Sequence, residues 1–203
     1  MEIMKASAIA LFALVCCLAA PVGEFDQDKV LGNPSAPVQI EVYSDFSCPA
    51  CKNFHENLLP TLMHDYVVPG KVCVISKEFP LNIPDHKYSR EAANLATAAA
   101  RVGKYQQVSD TLFQNQTSWA ESGKVWDYVA TALTPVEQKR VQQLAKDPAI
   151  VGEVQHDYDS AMSQRLNQTP TLLIKKGSRQ YAFAGPGPGN YLLLRSLIDG
   201  LLK

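Results

Sequence analysis

Charge imbalance is absent from this chain. Its 19 Lys and Arg against 20 Asp and Glu leave a net charge of −1, so no strong attraction to nucleic acid or to an anionic membrane is implied. The polar, charge-rich composition of disordered chains is absent as well, with hydrophobic residues at 46% and charged residues at 19%. No internal repeat occurs, and no low-complexity segment beyond the glycine–proline break at Gly185-Pro186-Gly187-Pro188-Gly189. Cysteine is scarce, at five residues, and the pair Cys48 and Cys51 has no second Cys-x-x-Cys to match it. A structural zinc site usually takes four ligands, and beyond that pair only Cys73 and scattered histidines (His55, His64, His86, His156) remain as candidates. The sequence therefore gives little support to a metal site.

Long apolar stretches are also rare. The one conspicuous run, residues 6–20, follows Lys5 and carries no charge. It is shorter than the ~20 residues a membrane span needs and fits the apolar region of a secretory signal, with small residues at Ala19 and Ala20. Residues 1–19 are expected to be a signal peptide. Cys16 and Cys17 lie inside it, and Val15 before Cys16 is not the small residue a lipid-modified cysteine would need. Export would place the mature chain in the periplasm or another extracytoplasmic, oxidising compartment. Cys48, Cys51 and Cys73 would then remain, an odd number that argues against a purely structural disulfide framework.

The 203 residues suffice for one domain with a core and an insertion. Residues 20–37 are turn-rich and read as a linker. Val38 to Tyr43 alternates as a strand, with Val38, Ile40 and Val42 on one face. Pro49 to Tyr66 reads as a helix that Pro60 should kink or end. Lys71 to Ile75 reads as a second strand. Residues 86–166 are helical in pattern and form an expected helical insertion. Within it the Ala-rich Arg90 to Val102 favours helix, Thr134-Pro135-Val136-Glu137 has the form of a capping box, and Asp147-Pro148 is a start of similar kind. Thr171 to Ile174 and Tyr181 to Phe183 flank a turn and read as a hairpin. Tyr191 to Leu202 closes the chain as an amphipathic helix. Cys73, in a buried strand, is expected to be a small core residue, and Trp119 and Trp126 to pack within the insertion.

Cys48-Pro49-Ala50-Cys51 falls where the first strand gives way to the first helix. A helix N-terminus presents unpaired N–H groups and partial positive charge, which stabilise a thiolate, the form that attacks disulfides. Cys48 is expected to be the exposed nucleophile and Cys51, one turn further in, the more buried resolving thiol. A static local disulfide and half of a zinc site are the alternatives that the residues alone leave open.

The element order β, α, β, helical block, β, β, α, with the dithiol in this place, resembles the thioredoxin-like α/β fold with a helical insertion. More closely, the chain is similar to the DsbA-type thiol–disulfide oxidoreductases. Ser44-Asp45-Phe46-Ser47-Cys48-Pro49-Ala50-Cys51 resembles the family's active-site segment, Lys77-Glu78-Phe79-Pro80-Leu81 with His86 the segment before the insertion, and Thr169-Pro170-Thr171 the loop carrying a cis-proline beside the dithiol. The resemblance implies a thioredoxin-like domain of residues 38–85 and 167–203 around the 86–166 insertion. It implies catalytic Cys48 and Cys51, and substrate contact by Pro49, Ala50, Thr169 and Pro170. It further implies cysteine-containing exported proteins as substrates and a redox partner that regenerates the site. The dithiol is itself the redox group, so no added cofactor and no metal is expected. Nothing reads as a dimerisation arm, so a monomer is expected. Two departures stand out. Members of the family often bury an acid beneath the dithiol at the position held here by Val42, and strand alternation turns the neighbouring Glu41 to the opposite face. Strongly oxidising members also carry histidine where this chain has Ala50, so a very high reduction potential is not implied.

Overall fold

The computed structural model describes residues 27–203; the expected signal at 1–19 lies outside them. Among the described residues five strands, β1 (Val30–Leu31), β2 (Val38–Ser44), β3 (Val72–Glu78), β4 (Thr171–Lys176) and β5 (Arg179–Ala184), form one mixed sheet in the order β1-β3-β2-β4-β5. The central β2 pairs in parallel with β3 and antiparallel with β4, while β1 and β5 pair antiparallel at the two edges.

Two sequence expectations are extended at this level. Within the stretch read as a linker, Val30–Leu31 add a short strand to β3. Gly32 permits this close approach with a φ of 91°, and a Cβ there would lie 2.5 Å from Val67 Cγ1. The second strand continues past Ile75 to Glu78. Its polar end was not legible as strand, because Lys77 and Glu78 find their partners on distant helices: the Lys77 ammonium and the Glu78 N–H both donate to Asp157.

The helix after β2 starts at Pro49 and runs on to Val67 without a break. It consists of α1 (Pro49–Asn53), a widened π-type stretch (Phe54–Leu58), α2 (Leu59–Leu62) and a second π-type stretch (Met63–Val67). Pro60 was expected to kink or end it. Instead the wide turn immediately before it takes up the position where Pro60 has no N–H to donate. Between β3 and β4 come α3 (Ser89–Ala100), α4 (Tyr105–Gln114), α5 (Gln116–Ser122), α6 (Val125–Val129), α7 (Pro135–Leu144) and α8 (Pro148–Ser163). α7 opens on a complete capping box between Thr134 and Glu137, and Asp147 caps α8 through the Ala149 N–H. α9 (Tyr191–Leu202) ends the chain.

Alternation along β2 and β3 separates two cores. Val38, Ile40, Val42, Val72 and Val74 pack with Phe54, Leu58 and Leu62 of the first helix and with Leu194 and Ile198 of α9. Tyr43, Phe79 and Leu173 meet Ala161 of α8 and Leu166 on the opposite face. The helices of the insertion build a third core around fully buried Trp119, and Phe46, Cys48 and Cys51 belong to it. The dithiol therefore sits where the sheet end meets the insertion. Cys73 is fully buried beside Ala36 and Ile75, as expected of a core thiol. No helix among the described residues is long and apolar enough to cross a membrane.

Candidate active site

Cys48 occupies the N-cap position of α1 in an extended conformation, with Pro49 in the first turn. Both thiols are free. Cys51 is fully buried, and Cys48 is only 8% exposed, more enclosed than its expected role as an open nucleophile. The enclosure comes from the cis-proline loop and from the insertion. Pro49 and Ala50 are exposed beside it.

The Thr169–Pro170 bond is cis, and the loop it shapes brings the Thr169 carbonyl oxygen 3.4 Å from Cys48 Sγ as acceptor. The Thr169 hydroxyl is buried and makes no hydrogen bond among the described residues. The carbonyl favours the thiol, and the Thr169 side chain beside it favours the thiolate. The donors prevail, and the Cys48 pKa falls to about 6. The largest cause is a hydrogen bond from the Cys51 side chain, opposed by burial and supplemented by Thr169 and by the N–H groups of Cys51 and Ala50. Cys51 is held well above the ordinary range, chiefly by burial and then by the hydrogen bond and charge of Cys48. The Asp45 N–H, 3.4 Å from Cys51 Sγ, and the Ser44 side chain work in the opposite direction. One thiol is thus ionised near neutral pH and its neighbour protonated. That asymmetry suits attack by one sulfur and displacement by the other.

Several residues of this site were missed in the sequence. Asp45, 1% exposed, is the hub of the loop before the dithiol. Its Oδ1 accepts from the Ser47 N–H at 2.7 Å and the Ser89 hydroxyl at 2.5 Å. Its Oδ2 accepts from the Leu81 N–H at 2.7 Å and lies 2.7 Å from His86 Nδ1. The Asp-x-Ser turn was a legible local signal, but its distant partners on the insertion side were not. Gln116 of α5 donates from Nε2 to the carbonyls of Phe46, at 2.7 Å, and Cys48, at 3.0 Å. His86, from the segment before the insertion that resembles the family's, anchors this loop through Asp45.

The position of the family's buried acid is apolar here. Val42 belongs to the core beneath the first helix. Glu41 faces away, as alternation predicted, pairing with the Lys175 ammonium at 2.6 Å and accepting from the Tyr43 hydroxyl at 3.2 Å. Among the described residues, no group of three or more His, Cys, Asp or Glu side chains is placed to hold a metal ion.

Comparison with known proteins agrees with this architecture. A family model described as Thioredoxin matches residues 24–182. A probable disulfide bond formation protein D of Bacillus cereus is 25% identical over 154 residues, covering 74% of this chain and 71% of that protein. A putative protein-disulfide oxidoreductase of Rickettsia felis is 30% identical over 99 residues, covering 49% of this chain and 34% of its own length. The Na(+)/H(+) antiporter NhaA 1 of Mycolicibacterium gilvum is 26% identical over 151 residues, which are 73% of this chain but 23% of that protein. The chain thus spans only about a quarter to a third of the length of several curated relatives it matches. Among solved structures, Wolbachia pipientis alpha-DsbA1 superposes with a TM-score of 0.68 at 22% identity, covering 86% of this chain and 90% of that one. BdbD from Bacillus subtilis, in its oxidised form, gives 0.68 at 21% identity over 86% and 92%. These likenesses establish the shared thioredoxin-like fold with its helical insertion, and the match over most of its length shows that the chain belongs to the thioredoxin family.

Proposed function

We propose that this protein is an exported thiol–disulfide oxidoreductase that exchanges disulfides with cysteine-containing proteins through Cys48 and Cys51. The observation that carries the reading is the asymmetry of the two thiols, with Cys48 lowered to about 6 at a helix start and Cys51 held high beneath it. In the reducing direction the Cys48 thiolate attacks a substrate disulfide and forms a mixed disulfide, which Cys51 resolves. In the oxidising direction a substrate thiolate attacks Cys48 of the Cys48–Cys51 disulfide, and a second substrate thiol releases the product. No added cofactor enters either path.

Pro49 and Ala50, exposed beside the nucleophile, and the Thr169–Pro170 loop are assigned to substrate contact. An extended segment laid along that loop would meet backbone in the manner of an added strand. The thioredoxin-like unit is assigned to residues 38–85 and 167–203, with 86–166 as the insertion that closes over the dithiol. Residues 1–19 are assigned as the export signal, and a separate redox protein as the agent that regenerates the site. Bacillus cereus protein D, by its name, takes part in disulfide bond formation, which supports the same chemistry here.

The test is disulfide exchange with a reduced, unfolded two-cysteine protein and with its oxidised form, comparing the parent with Cys48→Ser and Cys51→Ser. Cys48→Ser should lose exchange in both directions, and Cys51→Ser should accumulate the mixed disulfide. Exchange by Cys48→Ser at the parental rate would overturn the reading. Equilibration of the dithiol against glutathione gives the direction: a potential near −270 mV, that of thioredoxin, marks a reductase, and one near −120 mV an oxidase.

A further inference from the structure

Beside the segment that follows β3 runs a groove of about 450 Å³ that the exchange steps above leave unused. Leu81, His86, Lys87, Arg90, Gln155 and Tyr158 are among its lining, which holds two cations and a histidine but no carboxylate. The groove lies against both loops of the dithiol site. On one side the Leu81 N–H donates to Asp45 Oδ2 at 2.7 Å, and His86 Nδ1 meets the same oxygen at 2.7 Å. Asp45 opens the turn that ends on Cys48, whose N–H donates to the Asp45 carbonyl at 3.1 Å. A turn of this kind holds its ends within about 7 Å. On the other side Leu81 and Tyr158 pack on the core that contains Leu166, in the segment leading to Thr169.

The two cations of this groove are seated on aromatic rings. The Lys87 ammonium lies over Tyr88, 5.1 Å from the ring centroid, and the Arg90 guanidinium over Tyr158 at 5.4 Å. An aromatic face holds a cation without neutralising it. Other lysines pair with acids, Lys52 with Glu56, Lys104 with Glu137 and Lys175 with Glu41. Lys87 and Arg90 have no carboxylate partner among the described residues. Arg90 donates one N–H to Gln155 Oε1 at 3.1 Å, and Gln155 is fixed in turn by donating to Asp159 at 2.7 Å. Tyr158 is fixed by Phe79, with ring centroids 5.5 Å apart. A guanidinium carries five donors in a planar fork that matches a carboxylate, so Arg90 is already oriented and keeps donors to spare. The nearby acids of α8 are turned away, Asp157 to Lys77 and Lys29 and Glu153 to Lys29. Asp85 is exposed and stands outside the lining.

We propose that this groove receives an acidic side chain of the polypeptide substrate, its carboxylate bound by Arg90 and Lys87 while the substrate cysteine meets Cys48. The subsite rests on the dithiol reading above and names a substrate class for it: proteins with Asp or Glu a short way along the chain from the reacting cysteine. A segment laid along the Thr169–Pro170 loop would run on to the groove where Leu81 packs on the Leu166 core. An extended chain advances about 3.3 Å per residue, which places the acid about three to five residues from the cysteine. The groove makes and breaks no bond. It gathers acidic segments at the sulfur by charge attraction, which salt screens.

The test uses the reduced full chain and peptides of equal length whose only cysteine carries 5-thio-2-nitrobenzoate in a mixed disulfide. The Cys48 thiolate bonds to the peptide sulfur, and the coloured thionitrobenzoate leaves with the electron pair of the broken S–S bond. The peptides carry Glu, Gln or Lys at the same positions, about three to five residues to either side of the cysteine. In the parent at low salt the Glu peptide should react roughly threefold to tenfold faster than the Gln peptide, and the Lys peptide more slowly than both. Added salt should shrink that ratio. Lys87→Gln and Arg90→Gln should each bring the Glu-to-Gln ratio towards unity. Arg179→Gln, at the end of the β4–β5 hairpin far from Pro170, should keep the parental ratio. A parental ratio of unity, or a ratio kept in both groove variants, would overturn the proposal. An equal loss in Arg179→Gln would overturn it as well, by assigning the preference to net charge. If Arg90→Gln does not fold, Lys87→Gln, at an exposed side chain, decides by the same criterion. A loss confined to Arg90→Gln would overturn the part given to Lys87. Thionitrobenzoate release at the parental rate by Cys48→Ser would instead count against the dithiol reading, so the two failures are distinguishable.

Discussion

Cys48 Sγ and the Thr169 carbonyl oxygen stand 3.4 Å apart across 121 positions of sequence. Through this contact the cis-proline loop and the helix start share one sulfur. The same loop supplies an acceptor for the thiol and, in the Thr169 side chain, a group that favours the thiolate.

The ionisation of Cys48 should be visible in alkylation. The rate of iodoacetamide reaction with the reduced protein is expected to reach half its plateau near pH 6. In Cys51→Ala that midpoint should move up, because the hydrogen bond from Cys51 is the largest cause of the lowering. The sign for stability follows by linkage. A thiol lowered from 9.0 to about 6 favours the folded state fully above pH 9, and the gain is lost as pH falls through 6. Urea unfolding of the reduced parent against Cys48→Ala should show the difference widening between those limits.

Asp45 organises the loop rather than the chemistry. Asp45→Ala leaves the Ser47 and Leu81 N–H groups, the Ser89 hydroxyl and His86 without their shared acceptor. A loss of about 3 kcal/mol in urea unfolding is expected, together with faster alkylation of Cys51 as its cover loosens. Unchanged stability would mean that these donors find water without cost.

Gln116 ties the insertion to the dithiol. Removing its side chain in Gln116→Ala frees two buried carbonyls, those of Phe46 and Cys48. Unfolding measurements should register roughly 1–3 kcal/mol. Disulfide exchange should slow, because the N-cap geometry that holds the Cys48 sulfur is no longer braced.

Lys29 is 2% exposed and faces Glu78, Glu153 and Asp157. Lys29→Met leaves buried carboxylates short of a cation, a change expected to cost about 3–5 kcal/mol near neutral pH. Lys29 normally lowers the Glu78 pKa, so its removal lets that carboxyl protonate at still higher pH. The variant's deficit should therefore shrink as pH falls from about 9 to about 7 and level off below, where Glu78 is protonated in both proteins. A deficit constant from pH 9 to pH 7 would exclude Glu78 as its source.

Local pattern made much of this protein legible. Alternation at Val38, Ile40 and Val42 marked the central strand, the Thr134–Glu137 box and Asp147 marked two helix starts, and the dithiol spacing marked the site. These features depend on neighbours within a turn or two, where backbone geometry dictates contact. The extension of β3 through Lys77 and Glu78, the strand at Val30–Leu31 and the passage of the first helix through Pro60 escaped that reading. The first two are fixed by groups remote in sequence, Asp157 for the end of β3 and the β3 edge for Val30, whereas Pro60 is accommodated by a widened turn just before it that no residue pattern announces.

The sequence by itself determined where a thiolate can form, because a helix start and two cysteines a turn apart are local facts. Only the tertiary structure decided what surrounds the sulfurs. Folding brought Thr169, Gln116 and His86 from three separate segments to one end of the sheet. Desolvation and hydrogen bonding depend on such distant neighbours, and no local pattern encodes which of them will meet.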